Sequence, residues 1–280
     1  MKKDIVLLDG AVGTSLWEKA DKYGFPKNPV WTYNVEHPEI VKELAAEYLD
    51  AGSQIILANT FGANGPAVKR SSAYTTPEIV KAGVRLAREA VGGKAEVSLS
   101  VGPLSALLEP YGELSETECR EIYEEHIGSG MEEKPDSIMI QTFMDLEMMR
   151  IAAIVAKQYN VPVYCTMTFE KVGRTIMGNT VQQVIDVLTP LGIDAIGMNC
   201  SLGPDLALPV IREFAEKTDL PLVFKPNAGK PISASDGSSA AEYDAATFVR
   251  EVEPALEYVS YVGGCCGSNP SYIRALREIL

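Results

Sequence analysis

The chain has 280 residues, 46% hydrophobic and 22% charged, with a formal net charge of −13 from 25 Lys+Arg against 38 Asp+Glu. That length supports one sizeable core, and the acidic balance argues against nucleic acid or an anionic membrane as a partner. No run of about 20 apolar residues is present to span a bilayer, and the apolar stretch after Met1-Lys2-Lys3-Asp4 is too short for a signal peptide.

Residues 5–9 open the chain as a short apolar strand. Residues 21–32, with Pro26, Pro29 and Trp31, read as a long loop before a helix over 38–51. The pattern then repeats. Strand 53–58 precedes helix 77–91, strand 96–101 precedes helix 116–131, and strand 137–142 precedes helix 146–159. Strand 162–167 precedes helix 181–191, strand 195–200 precedes helix 205–217, and strand 222–226 precedes helix 245–252, which stops short of Pro254. Strand 258–263 and helix 271–280 end the series. Pro38, Pro77 and Pro270 fall at or just before helix starts, where a missing N–H is tolerated. Residues 227–241, rich in Gly, Ser, Ala and Pro, suggest a mobile lid after the seventh strand.

Eight strand–helix units with near-continuous apolar strands predict a parallel sheet covered by helices. At this length the economical form is α/β, a closed (β/α)8 TIM barrel forming a single domain over 1–280. A doubly wound sheet is the alternative, but no Gly-x-Gly-x-x-Gly follows the first strand.

Barrel sites are built where strands end. Those ends carry Asp9-Gly10, Asn59-Thr60, Gln141-Thr142, Asn199-Cys200, Lys225-Pro226-Asn227 and Cys265-Cys266, so polar groups and three thiols converge at one mouth. Five cysteines without a secretory signal fit a reducing cytoplasm with free or metal-bound thiols. Three thiolates at an open site suit zinc, a soft ion whose tetrahedral shell would keep one position for a thiol substrate. A free thiol with a pKa of about 8.5 is mostly protonated at neutral pH, whereas a zinc-bound one is not. Taken alone, the Cys265-Cys266 doublet also fits a strained vicinal disulfide, two buried thiols or a redox pair. Cys119 and Cys165 read as packed core thiols, and His37 and His126 as structural or surface groups. Tyr23, Phe25 and Trp31 either cap the site or pin the first loop.

With these motifs assembled, the chain resembles the homocysteine S-methyltransferase family, closest in pattern to the homocysteine-binding module of cobalamin-dependent methionine synthase. The matching stretches are Leu7-Leu8-Asp9-Gly10-Ala11-Val12-Gly13-Thr14, Asn59-Thr60-Phe61-Gly62-Ala63-Asn64, Asn199-Cys200-Ser201-Leu202-Gly203-Pro204, Pro226-Asn227-Ala228-Gly229 and Val262-Gly263-Gly264-Cys265-Cys266-Gly267. The resemblance implies a zinc barrel ligated by Cys200, Cys265 and Cys266, with the acceptor thiolate as fourth ligand. It implies methyl transfer to homocysteine from methyl-cobalamin, betaine or S-methylmethionine. Asp9 and the Gly10 backbone match positions implied to hold the amino acid part of homocysteine, with Gln141, Asn59 and Asn227 as further substrate-binding candidates.

One departure stands out. Where the family usually carries Glu-Thr after the fourth strand, with the glutamate understood to pair with the substrate ammonium, this chain reads Gln141-Thr142. A neutral amide accepts a weaker hydrogen bond than a carboxylate, so either Asp9 carries the ammonium or the acceptor is another thiol. The sequence shows no Asp-x-His-x-x-Gly cobalamin motif, so a methyl-corrinoid would have to arrive on a separate protein. The remaining readings are a corrinoid-dependent catabolic system or a non-catalytic thiol- or zinc-binding subunit. Oligomeric state is left open.

Overall fold

A computed structural model describes residues 4–229, 231–233 and 239–280. In chain order its strands are β1 (Val6–Leu7), β2 (Ile55–Leu57), β3 (Glu96–Val101), β4 (Ser137–Phe143), β5 (Val163–Met167), β6 (Ala195–Asn199), β7 (Leu222–Lys225), β8 (Pro231–Ser233), β9 (Ser239–Ala241) and β10 (Tyr261–Val262). Eight of them pair side by side in the order β1-β10-β7-β6-β5-β4-β3-β2, every pair parallel. A parallel bridge between Leu8 and Ile55 joins the two ends. The sheet therefore closes into the expected (β/α)8 barrel, and closure removes the unpaired edges that an open sheet would expose.

The helices are α1 (Val12–Tyr23), α2 (Tyr33–Glu36), α3 (Pro38–Ala51), α4 (Gly65–Ser71), α5 (Thr76–Val91), α6 (Glu116–Met131), α7 (Leu146–Ala156), α8 (Val181–Leu188), α9 (Pro204–Lys217), α10 (Ala245–Val252) and α11 (Pro270–Ile279). Local chemistry fixes many of their ends. Thr75 with Glu78, Ser115 with Glu118 and Thr180 with Gln183 form capping boxes that start α5, α6 and α8. Gly24, Gly52 and Gly92 take left-handed conformations that stop α1, α3 and α5. None of the described helices is long and apolar enough to cross a membrane.

Two hydrophobic layers hold the barrel. The larger lies between strands and helices, and the smaller fills the barrel interior with Leu8, Ile55, Leu57, Met139, Tyr164, Ala195 and Val223. Each large apolar side chain buried this way contributes about 1.5–3 kcal/mol before conformational entropy is subtracted. Strands buried on both faces read as continuous apolar runs, which is why period-2 alternation is absent.

Several boundaries differ from expectation. Strands β1, β2 and β10 are shorter than predicted, at Val6–Leu7, Ile55–Leu57 and Tyr261–Val262. Helix α7 ends at Ala156, and α8 gives way after Leu188 to a 3-10 turn over Thr189–Leu191 that contains Pro190. The first loop begins later than expected, since Asp21, Lys22 and Tyr23 form the last turn of α1. In that loop Phe25 stacks on His37 at 3.7 Å between ring centroids, and Trp31 is buried. These contacts favour the pinning reading over a cap. Within the expected lid, β8 and β9 form an antiparallel hairpin; Lys230 and residues 234–238 of that segment lie outside the described residues.

Candidate active site

Cys200 follows β6, whereas Cys265 and Cys266 follow β10. The turns that carry them are laced together by backbone hydrogen bonds. Cys200 N donates to Lys225 O (3.0 Å), Cys265 N to Pro226 O (2.8 Å), Ala228 N to Cys266 O (3.0 Å) and Asn227 N to Leu202 O (2.9 Å). Ser268 Oγ donates to Cys265 O at 2.7 Å and receives Ala11 N at 3.2 Å, which ties the last turn to the first. Cys200 and Ser201 adopt φ of 61° and 55°, a conformation that non-glycine residues rarely take. Such strain persists only where surrounding structure enforces it, and it gathers at functional sites.

The outcome is a three-sulfur cluster. The Sγ atoms of Cys200, Cys265 and Cys266 all lie within 4.8 Å of one another, and Cys200 Sγ stands 3.6 Å from Cys266 Sγ. Tetrahedral zinc with Zn–S bonds of about 2.3 Å places its sulfurs about 3.8 Å apart. The spacing, the sulfur-only donor set and the free state of all three thiols fit a zinc ion, with one ligand position left over.

Without metal these thiols resist ionisation. Contact with Cys265 draws the Cys200 thiol down, but its hydrogen bond to Cys266, burial and the charge of Cys266 together raise it to about 11. The Cys200 contact raises Cys265 to about 12, with Cys266 and Lys225 opposing. Cys266 is lowered by Cys200 yet rises to about 12 through Cys265 and burial. Crowding three thiols disfavours each successive thiolate, and that penalty is the one a divalent cation removes.

Asn199, fully buried beneath the cluster, connects it to β4 and β5. Its Oδ1 accepts from Thr142 N and Thr166 Oγ1, both at 2.8 Å, and its Nδ2 donates to Thr142 Oγ1 at 2.7 Å and to Cys265 Sγ at 3.6 Å. All four of its hydrogen-bonding capacities are used. Thr142 is itself at φ 65°, held there by this amide.

A cavity of about 270 Å³ opens beside the sulfurs. Its walls include Gly10, the start of α1 (Val12, Gly13, Thr14), Trp17, Asn59, Phe61, Ser100, Gln141, Lys225 and the three cysteines. Gly10 is required here, because a Cβ would stand 2.7 Å from the Tyr48 hydroxyl and 2.8 Å from Ser268 Oγ. Helix α1 starts without a side-chain cap and with no acidic residue in its first turn, so its free N–H groups meet the cavity uncompensated. Asn59 is braced by Nδ2 bonds to Val30 O and Asn34 Oδ1. Gln141 donates Nε2 to Ser100 Oγ at 2.8 Å.

Asp9 and Asn227 sit differently. Asp9 is fully buried behind the cavity wall, with Oδ1 2.6 Å from Lys225 Nζ and Oδ2 accepting Leu57 N at 2.8 Å. Its influence on the cavity therefore passes through Lys225. Asn227 lies under the cysteine turns, off the cavity lining, and its Oδ1 is buried without a partner among the described residues.

Sequence reasoning picked neither Asn199 nor Lys225 as a site residue. Asn199 directly precedes a candidate ligand at a strand end, and that placement was the available signal. Cys119 and Cys165 are buried core thiols, with burial raising Cys119 to about 12 and Cys165 further still. His126 is buried between Ala63 O and Ser100 O, away from the sulfurs.

The chain is similar to known proteins over nearly its whole length. The family model described as Homocysteine S-methyltransferase matches residues 6–280. The chain is 26% identical to a methionine synthase of Mycobacterium tuberculosis over 98% of its own length, but spans only 24% of that protein. It is 27% identical to the S-methylmethionine--homocysteine S-methyltransferase BHMT2 of Pongo abelii, covering 99% of this chain and 78% of that one. In fold it matches the homocysteine methyltransferase MmuM of Escherichia coli in its metallated form, with TM-score 0.80, 22% identity, and coverage of 100% of this chain and 97% of that one. The chain belongs to the homocysteine S-methyltransferase family.

Proposed function

We propose that this protein is a zinc-dependent S-methyltransferase that moves a methyl group onto a thiol acceptor, homocysteine in the first instance, giving methionine. The observation that carries the reading is the Cys200–Cys265–Cys266 cluster, whose spacing suits tetrahedral zinc and whose three sulfurs leave a ligand position for the acceptor. Zinc, when bound, keeps an acceptor sulfur in its nucleophilic thiolate form at neutral pH.

The chain's own residues supply the remainder. The laced turns fix the sulfurs before any ligand arrives, so little ordering entropy is lost on binding. Asn199 restrains Cys265 and Thr142 together. Gly10 and the first turn of α1 face the polar end of the acceptor, with Asn59 and Gln141 as amide partners. Trp17 and Phe61 form an apolar wall that limits water.

The donor proposed is a methyl-corrinoid carried by a separate protein. Support comes from where apolar surface is exposed. Trp17 on α1, and Phe61, Leu107, Tyr111, Val172 and Ile176 on the stretches that follow β2, β3 and β5, are exposed, each downstream of the carboxyl end of a strand. Exposed apolar groups on the catalytic face suit a protein partner, and a small free methyl donor would need none.

Metal analysis is the direct test. The wild-type chain is expected to bind about one zinc per chain, and Cys200→Ala to lose it, as removal of one of three protein ligands demands. Zinc retained at wild-type stoichiometry in Cys200→Ala would sink the proposed site. Methyl transfer to homocysteine from a methyl-corrinoid protein, measured beside S-methylmethionine, separates the two donor classes.

A further inference from the structure

The electrostatics of the cavity are one-sided. Among the described residues that line it, Lys225 is the only one bearing a permanent charge. Its ammonium is 98% buried by its side-chain exposure of 2%, and it makes one hydrogen bond, to Asp9 Oδ1. An ammonium has three donors, so two remain for a ligand. The uncapped start of α1 and the Gly10 N–H, which takes no partner among the described residues, add further donors on the same wall. Helix amino ends of this kind favour anions.

Among the described residues that line the cavity, nothing comparable serves a cation. Asp9, which pairs with Lys225, is wholly buried, with its oxygens engaged by Lys225 Nζ and Leu57 N. The cysteines of the metal site aside, the remaining polar side chains that line the cavity are neutral. Gln141 is 91% buried from its exposure of 9%, and its Oε1 has no partner among the described residues. The Ser100 hydroxyl can donate as well as accept, so the amide is able to present either end, and neither carries charge.

We infer that the acceptor is recognised by its anionic end and not by an ammonium: the preferred class is a short-chain thiol bearing a carboxylate or similar anion, with the α-amino group dispensable. Lys225 and the start of α1 hold the anion, and Gln141 contacts the carbon bearing the amino group or its replacement. This rests on the zinc–thiol reading above and deepens it. Homocysteine remains an acceptor, but its ammonium meets no carboxylate among the described lining residues and gains no ion pair, so discarding that group loses little.

The test uses the full chain loaded with Co²⁺ in place of zinc, since thiolate binding to cobalt changes its visible spectrum and reports affinity without turnover. Three probes are compared: homocysteine, 4-mercaptobutyrate (no amino group) and 3-aminopropane-1-thiol (no carboxylate). The expected result is 4-mercaptobutyrate within about three-fold of homocysteine, and the aminothiol weaker by about 30-fold or more, in line with the strength of charge-assisted contacts. Gln141→Glu, nearly the same in shape, is expected to shift preference toward homocysteine over 4-mercaptobutyrate by about ten-fold. Homocysteine binding more than about ten-fold tighter than 4-mercaptobutyrate in the wild type, or an aminothiol that binds as well as homocysteine, would overturn the inference while leaving the zinc–thiol function intact. A cobalt spectrum that responds to none of the three thiols overturns the function itself, and this inference with it.

Discussion

The Lys225–Asp9 pair offers the sharpest test of how the mouth of the barrel is built. The two charges lie 2.6 Å apart with side-chain exposures of 2% and 0%. At an effective dielectric of about 20 their attraction is about 6 kcal/mol, which is offset by several kcal/mol of desolvation for each ion. The pair as a whole therefore adds little net stability, yet either charge left alone is costly. Asp9→Asn keeps an oxygen for Leu57 N and strands the ammonium. The expected loss is about 3–5 kcal/mol, the cost of leaving one member of a buried ion pair without its partner. Lys225→Met strands a buried carboxylate, and the expected loss is again about 3–5 kcal/mol. The double variant should lose clearly less than the sum, with a coupling energy of at least about 2 kcal/mol. Urea unfolding of the metal-free, reduced protein measures all four corners of the cycle, read as midpoint shifts at constant slope. Single losses that add to within about 0.5 kcal/mol would refute the claim that these two charges depend on each other.

Other expectations follow from the same geometry. Asn199→Ala removes the Nδ2 contact to Cys265 and the support of Thr142, and zinc affinity should drop about 10–100-fold in competition with a chromophoric chelator; an unchanged affinity would deny Asn199 any role in setting the metal. Gly10→Ala pushes a methyl group against the Tyr48 hydroxyl and Ser268 Oγ, so thermal unfolding should show a loss of about 1–3 kcal/mol together with weakened thiol binding. Burial lowers the pKa of His126, with its backbone hydrogen bonds opposing. The unfolded chain therefore takes up a proton below about pH 6.5 that the folded chain refuses, and stability present above that pH is lost on acidification by at most about 1.4 kcal/mol per pH unit. His126→Gln should flatten this slope in stability profiles between pH 5 and 7, and an unaltered slope would show that His126 is not its source.

The sequence exposes the barrel well because its signals are local. Apolar runs such as Val163–Met167 and Ala195–Asn199 are continuous since both faces are buried, and capping boxes such as Thr75 with Glu78 mark helix starts within four residues of chain. Helix α1 escaped notice for the converse reason. It begins at Ala11 with no capping side chain and no acidic first turn, and the absence of those signals is what leaves its N–H groups free to face the cavity. Helix α4 carried a readable cap in Asn64, whose side chain accepts Ala67 N, but at seven residues it is too short for periodicity to show.

The site divides along the same line. The cysteines are legible because each lies in a glycine-bearing turn at a strand end, and a barrel needs only topology to bring such ends together. Lys225 is different. In Leu222–Lys225 it reads as the polar end of an apolar strand, and nothing local says that its ammonium is buried or that its partner is Asp9, 216 residues earlier. The pairing exists because barrel closure sets β10 between β1 and β7, so that β1 and β7 present their ends to one mouth from either side of it. Closure thus does more than shape a pocket. It commits the buried carboxylate of Asp9 to the buried ammonium of Lys225, and leaves Gln141 facing the ligand without a charge.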